Sequence, residues 1–183
     1  QLRLDLDLYA GVRPVRALPG TRLPLADPRA AEIDFVLVRE QTEGWFYGRY
    51  HPEVGPRSTP DEAYDVGRIT RKGSERLFDF SFRLAEKRRA RNPKKGRVTC
   101  VDKSNVHRSL ALFNRIYWER AKLFPNITAD HSYVDAMSLN LIRKPWEYDV
   151  MPTENQFGDI LSDLSAGLIG GMGMAPSGDI GDK

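Results

Sequence analysis

Asp159 and Asp163 stand four residues apart in Asn155-Gln156-Phe157-Gly158-Asp159-Ile160-Leu161-Ser162-Asp163-Leu164. If that stretch opens a helix, positions i and i+4 share a face and the two carboxylates point the same way. Two anions side by side repel each other. A hard divalent cation such as Mg²⁺ or Mn²⁺ relieves that repulsion and prefers carboxylate oxygens. The plainer alternative is a solvated helix face carrying two Asp residues, and spacing alone favours it. Any further weight has to come from elsewhere in the chain.

Three arginines stand beside apolar or strand-like stretches: Arg3, Arg13 in Gly11-Val12-Arg13-Pro14, and Arg39 in Val36-Leu37-Val38-Arg39-Glu40. Guanidinium forks bind carboxylates bidentately. Surface solubility explains an arginine closing an apolar run poorly, although an ion pair of Arg39 with Asp34, Glu40 or Glu43 would also serve. Lys103, in Val101-Asp102-Lys103-Ser104-Asn105, follows one strand-like run and precedes a helical pattern. That places it at the carboxyl end of a strand, the edge where open α/β sheets bind ligands. A lysine near a metal and other cations can have its pKa lowered enough to act as a base; otherwise it is an ordinary loop lysine. Asp135, in Tyr133-Val134-Asp135-Ala136-Met137, follows another strand-like run at the start of a helix, as a ligand or simply an N-cap. The recurrence of charged groups at three strand ends carries more than any single position.

These positions presuppose a succession of elements. Leu2 to Leu18 reads as strand material, and Thr21 to Ala31 as a loop. Ile33 to Val38 reads as a buried strand, Trp45 to Tyr50 as another, and the proline-rich His51 to Asp61 as an exposed loop. Ala63 to Thr70 suggests a strand leading to a helix over 72–89 with the apolar stripe Leu77, Phe80, Phe82 and Leu84. Beyond Arg97 the pattern alternates: strand 98–101, helix 108–124, strand 127–134, helix 136–143, strand 148–151, helix 156–169. The expected class is α/β, an open, mostly parallel twisted sheet with flanking helices plus a smaller strand-rich subregion. Two subregions, 1–96 and 97–183, are expected to join near Arg97. The glycines of Gly167 to Gly173 do not read as a dinucleotide fingerprint, because a helix precedes them and a loop with Pro176 follows.

With 40% apolar and 29% charged residues the composition is that of a soluble globular protein. No run is long enough to span a bilayer and no signal-peptide layout opens the chain, so no membrane partner is expected. A single cysteine, Cys100, excludes an internal disulfide or a cysteine zinc site and suggests a cytoplasmic compartment. Most of the +3 net charge sits in Lys87 to Arg97. Cations there complement the carboxyl end of a helix before Asn92-Pro93 breaks it, so nucleic-acid binding is not expected. The chain begins at Gln1 without Met and stops at Asp182-Lys183 in a Gly-rich loop, which reads as a piece of a larger protein.

Taken jointly, the sequence resembles the β-decarboxylating dehydrogenases, the family of isopropylmalate, isocitrate, homoisocitrate, tartrate and D-malate dehydrogenases. The resemblance runs through Leu2-Arg3 with Asp7-Leu8-Tyr9-Ala10 to Arg13-Pro14, then Val38-Arg39-Glu40 and Val101-Asp102-Lys103-Ser104-Asn105. Tyr133-Val134-Asp135-Ala136 and Glu154 to Leu164 complete it, in the family's order and spacing. It implies an isopropylmalate dehydrogenase-like fold, and Arg3, Arg13 and Arg39 gripping the carboxylates of a small-molecule 2-hydroxy acid. Asp159 and Asp163 would hold Mg²⁺ or Mn²⁺ together with Asp135 of a partner subunit. Lys103, also from the partner, would assist proton transfer at the hydroxyl, and Asn105 would lie near the nicotinamide side of NAD or NADP. Sites shared in this way imply a homodimer or higher oligomer. The reaction implied is oxidation at C2 followed by loss of the β-carboxylate as CO₂.

Two departures stand beside the resemblance. The family's acid tyrosine falls at Phe46, with Tyr47 next; on a strand the two would face opposite ways unless a bulge intervened. The family's adenosine-binding loop and first strand-helix units have no counterpart here, so this piece alone is expected to lack a full cofactor site and to be inactive. The alternative from the same family is a non-catalytic regulatory subunit. Thr42-Glu43-Gly44 looks more like the isocitrate, tartrate or D-malate branches than the isopropylmalate one.

Overall fold

The apolar run ending in Arg39 becomes the second strand of the chain and an inner strand of its sheet. The computed structural model describes residues 2–54 and 57–182; Gln1, Gly55, Pro56 and Lys183, with their part of the expected 51–61 loop and chain ends, lie outside the described residues. In chain order the elements are α1 (Leu2–Asp5), β1 (Ala10–Arg16), β2 (Asp34–Glu40), α2 (Tyr47–Tyr50), β3 (Arg57–Ser58), β4 (Ala63–Tyr64) and α3 (Arg71–Arg91). There follow β5 (Arg97–Asp102), α4 (Arg108–Ala121), β6 (Thr128–Tyr133), α5 (Val134–Arg143), β7 (Val150–Thr153), α6 (Asn155–Leu168) and β8 (Gly178–Ile180).

Six strands form one sheet in the order β6-β5-β7-β2-β1-β8. The first four run parallel, β1 lies antiparallel to β2, and β8 antiparallel to β1. The mixed α/β class and mainly parallel sheet are those expected. The join expected near Arg97 falls at the first residue of β5, inside a sheet that takes strands from both sides of it. Outside this sheet, β3 and β4 form a short exposed hairpin.

Period-two alternation in the inner strands feeds two cores. Val36 and Val38 of β2, with Val98 and Cys100 of β5, face α3 and α4 and pack against Leu77, Phe78, Phe82, Phe113, Ile116 and Tyr117. Phe35, Leu37 and Val101 face the other way, onto Met137 and Leu141 of α5 and Leu161 and Leu168 of α6. Of the stripe expected on α3, Leu77 and Phe82 are buried while Phe80 and Leu84 are partly so. Thr70 caps that helix by accepting the Gly73 N–H at 3.1 Å. The basic run at its end is mostly exposed, but several of its cations are tied back to the fold. Arg88 reaches Asp149 at 2.5 Å, Arg89 donates to the Asn126 carbonyl, and Lys95 binds Asp34.

Three expectations are corrected. Leu2 to Leu8 is not strand but a helical turn, closed by Leu6 N–H to the Leu2 carbonyl and Leu8 N–H to the Arg3 carbonyl. Trp45 to Tyr50 is not a strand either: Gly44, at φ +81°, turns the chain, and α2 follows. The Gly-rich tail returns to the sheet as β8 instead of remaining a loop. Among the described residues no helix is long and apolar enough to cross a membrane.

Candidate active site

The carboxyl ends of the parallel strands collect the charged residues. β2 ends at Arg39-Glu40, β5 is followed by Lys103, β6 by Asp135, and β7 leads through Glu154 into α6. Because β7 is the parallel neighbour of β2, the first turns of α6 lie over the end of β2. Residues 155, 159 and 163 are spaced by one helical repeat and share a face. Arg39, buried to 7% exposure, donates from Nε to Asn155 Oδ1 at 2.9 Å and pairs through Nη1 with Asp159. Burial lowers its pKa, and the Asp159 charge opposes that shift.

The turn between β2 and α6 is tied down by three buried glutamates. Glu40 accepts the N–H groups of Thr42 and Glu43 at 2.9 and 2.7 Å. Glu154 accepts Phe157 N–H at 2.7 Å as the N-cap of α6 and Trp45 N–H at 3.3 Å. Glu43 accepts the Thr70 N–H and hydroxyl at 2.9 and 2.8 Å. Burial raises the pKa of each. Glu43 is pushed up to about 7 by burial and the Glu40 charge, against the Thr70 hydrogen bonds and Arg68.

A pH dependence follows from Glu43. Its folded-state pKa lies above the unfolded value near 4.5, so its contribution to stability is fully present below 4.5 and is lost as pH rises through about 7. Glu43→Gln removes the buried charge, keeps an acceptor for Thr70, and is expected to gain on the wild type by ~2 kcal/mol above pH 8 relative to pH 5. Urea unfolding at both pH values checks this; an identical difference at both would refute it.

Arg3, Arg13 and Arg39 line one cavity of about 340 Å³ with Asp159, Ser162 and Asp163. The three expected arginines and the two carboxylates of α6 are thus brought together. Lys103, Asn105 and Asp135 do not line it. Lys103 Nζ donates to Asp135 Oδ1 at 2.7 Å, a bond that holds the exposed Asp135 carboxyl below its usual range. Asn105 is exposed in the turn that follows β5. Among the described residues no group of three His, Cys, Asp or Glu side chains is placed to hold a metal ion. A larger cavity, about 680 Å³, lies at the opposite edge of the sheet. Two of its four cations, Arg97 and Lys95, are paired with Asp130 and Asp34.

Phe46, not Tyr47, stands beside Arg39: the Arg39 guanidinium lies 5.5 Å from the Phe46 ring centre. The Tyr47 hydroxyl instead accepts from Arg68 at 2.8 Å and its ring stacks on His51 at 4.1 Å. With no strand at 45–50, the choice between opposite strand faces does not arise. Sequence reasoning missed Gln41 and Asp179. The Asp179 carboxylate meets Arg3 at 3.2 Å, Arg13 at 3.5 Å and the Gln41 amide at 2.8 Å. A lone Asp in a glycine-rich tail gives no local signal of this; only the pairing of β8 with β1 reveals it.

The family model for isocitrate/isopropylmalate dehydrogenase matches residues 1–183. The chain is 42% identical over 186 residues to the 3-isopropylmalate/3-methylmalate dehydrogenase of Methanocaldococcus jannaschii, covering 100% of this chain and 52% of that protein. It is 38% identical over 181 residues to the probable NAD isocitrate dehydrogenase subunit alpha, mitochondrial, of Drosophila melanogaster, covering 98% and 44%. The solved isocitrate dehydrogenase of Methylococcus capsulatus superposes with a TM-score of 0.85 at 41% identity, over 99% of this chain and 50% of that one. The chain therefore spans about half the length of the relatives it matches.

Proposed function

This chain belongs to the isocitrate/isopropylmalate dehydrogenase family, and from that premise we propose that the whole protein oxidises and β-decarboxylates a 2-hydroxy acid of the malate type, with NAD⁺ or NADP⁺ as hydride acceptor and Mg²⁺ or Mn²⁺ as cofactor. The observation that carries the reading is the convergence of Arg3, Arg13 and Arg39 with Asp159 and Asp163 on one cavity. The name of the Methanocaldococcus jannaschii relative, 3-isopropylmalate/3-methylmalate dehydrogenase, favours a 3-alkylmalate; isocitrate, tartrate and D-malate are the other members of the substrate class.

The donor set fits a hard divalent cation: two carboxylates on successive turns of α6, all-oxygen, open to the cavity. Asp159 and Asp163 would hold it, with Asp135 supplied by a second copy of the chain. A cation held there would supply Lewis acidity toward the substrate. The guanidiniums bind and orient the substrate carboxylates, holding C2 for hydride transfer. Arg39 is itself fixed by Asn155, so its fork is set before substrate arrives. Lys103 of the second copy takes the hydroxyl proton, and Asn105 orients the nicotinamide side. Arg39 is 7% exposed, with the Phe46 ring centre 5.5 Å from its guanidinium.

Phe46 beside Arg39 also favours a second reading, a regulatory subunit that binds the acid without turning it over. Retention of Lys103, Asp135, Asp159 and Asp163 weighs against it. One assay separates the two: NAD(P)H formation by the whole protein with Mn²⁺ and each of 3-isopropylmalate, isocitrate, tartrate and D-malate. Turnover with one acid, lost by ~10³-fold or more in Asp159→Asn, is expected, since a carboxylate of the metal site is removed. Silence with all four acids in a folded oligomer favours the regulatory reading, and full activity of Asp159→Asn sinks the metal assignment.

A further inference from the structure

Each guanidinium of the cavity already holds a protein carboxylate. Arg39 takes Asp159, and Arg3 and Arg13 share Asp179. Asp159 has a task in the proposed reaction. Asp179 has none, yet it meets both guanidiniums, at 3.2 and 3.5 Å. It lies on β8 directly opposite Gly11 of β1, and Gln41 reaches across to donate its amide to it. A Cβ on Gly11 would lie 2.1 Å from Gln41 Nε2, so the glycine leaves the room that the amide occupies. Partial burial pushes the Asp179 pKa up, but the Gln41 hydrogen bond and the Arg3 and Arg13 charges outweigh it and hold the carboxyl below its usual range. It is an anion at neutral pH.

The charge around the cavity is then balanced. Without a metal, Arg3, Arg13 and Arg39 stand against Asp159 and Asp163, which line the cavity with them, and Asp179, which lines an adjoining cavity with Arg3 and Gln41 and pairs with Arg3 and Arg13 from there. Removing Asp179 would leave an excess of one positive charge at the two guanidiniums with which it pairs.

We propose that Asp179 is a specificity residue: a resident carboxylate on Arg3 and Arg13 that makes the cavity favour dicarboxylates over tricarboxylates. The inference rests on the reading of the three arginines as carboxylate grips. Its physical basis is that the repulsion from a fixed anion scales with the charge of the ligand. A third ligand carboxylate therefore meets one more unit of repulsion than a dicarboxylate does, and finds no unneutralised guanidinium in compensation. At the dielectric of a partly buried site that extra unit is worth about tenfold in affinity. Salt weakens the effect but does not remove it at such short range.

The test uses the whole protein, with Asp179→Asn, Asp179→Ser and Asp179→Glu. Succinate and tricarballylate, a dianion and a trianion at pH 7.5, are titrated calorimetrically at fixed ionic strength without cofactor. Turnover of 3-isopropylmalate and isocitrate is measured in parallel. Asp179→Asn and Asp179→Ser are expected to shift the affinity ratio toward the trianion by about tenfold, while Asp179→Glu leaves it near the wild-type value. Two neutral replacements of different size guard against a folding failure in one. The proposal is overturned if the ratio moves by less than about twofold in the folded neutral variants, if both acids lose affinity equally, as for a residue that only props the arginines, or if the wild type binds neither acid. Should the wild type bind both acids and turn over none, the dehydrogenase reading falls, and the binding ratio still judges Asp179.

Discussion

Gly158→Ala is expected to lower turnover of the whole enzyme by about a hundredfold while leaving most of its stability, an effect out of proportion to one methyl group. Gly158 is where α6 crosses the end of β2. A Cβ there would meet Arg39 Cγ at 2.6 Å, Cβ at 2.7 Å and Cα at 3.2 Å. Those atoms are the root of the side chain and the backbone of a central strand, so nothing flexible can yield. Either α6 lifts from the sheet or the Arg39 stem swings aside. In the first case Asn155, Asp159 and Asp163 move together; in the second the guanidinium loses Asn155 and Asp159. Overpacking of this kind costs ~1–3 kcal/mol, and the better helix propensity of alanine returns ~1 kcal/mol. Parallel measurement of kcat/KM and urea unfolding therefore separates two outcomes. A large kinetic loss with a small stability loss marks Gly158 as the residue that seats Arg39 against α6. Activity within about threefold of wild type would mean that the Arg39–α6 contact is dispensable.

Much of that contact was legible in the sequence. The continuous apolar run Phe35 to Val38 and the helical spacing of residues 155, 159 and 163 place Arg39 and the two carboxylates at one sheet edge. Local patterns were sufficient because those elements are long and regular. They failed where a pattern had no sheet edge to join. Leu2, Leu4, Leu6 and Leu8 alternate like a strand, yet the segment closes as a turn capped by Asp7 at φ +48°. The aromatic run 45–50 reads as strand, but its polar backbone groups are met otherwise: Gly48 N–H bonds the Val66 carbonyl at 3.0 Å, and Gly44 bridges Arg68. Asp179 was invisible for another reason. Its role arises from a register, Gly11 opposite Asp179, between segments separated by most of the chain. No spacing within a short window encodes such a pairing.

Mixing two inactive variants, Lys103→Met and Asp159→Asn, is expected to restore turnover to about a quarter of the wild-type value, because half of randomly formed dimers are mixed and each mixed dimer regenerates one of its two sites. The expectation rests on the sharing of sites that the family resemblance implies, and the arrangement within one copy is compatible with it. The arginines, Asp159 and Asp163 share a cavity, whereas Lys103 and Asp135 pair with each other outside it. Asp135 is two-thirds exposed, and no third carboxylate completes the α6 pair among the described residues. Leu139 and Ile142 of α5 and Ile160 of α6 expose apolar surface on the helices beside these groups, which suits a contact with a second copy. If that contact carries Lys103 and Asp135 to the neighbour's cavity, a mixed dimer holds one site with both lesions and one with neither. The doubly damaged site stays silent and the other works at full rate. If each cavity drew its lysine from its own chain, every site in a mixed dimer would still carry one lesion. Recovery from near zero therefore follows only from sites built across two copies, and its absence in demonstrably mixed dimers would place all the chemistry within one chain.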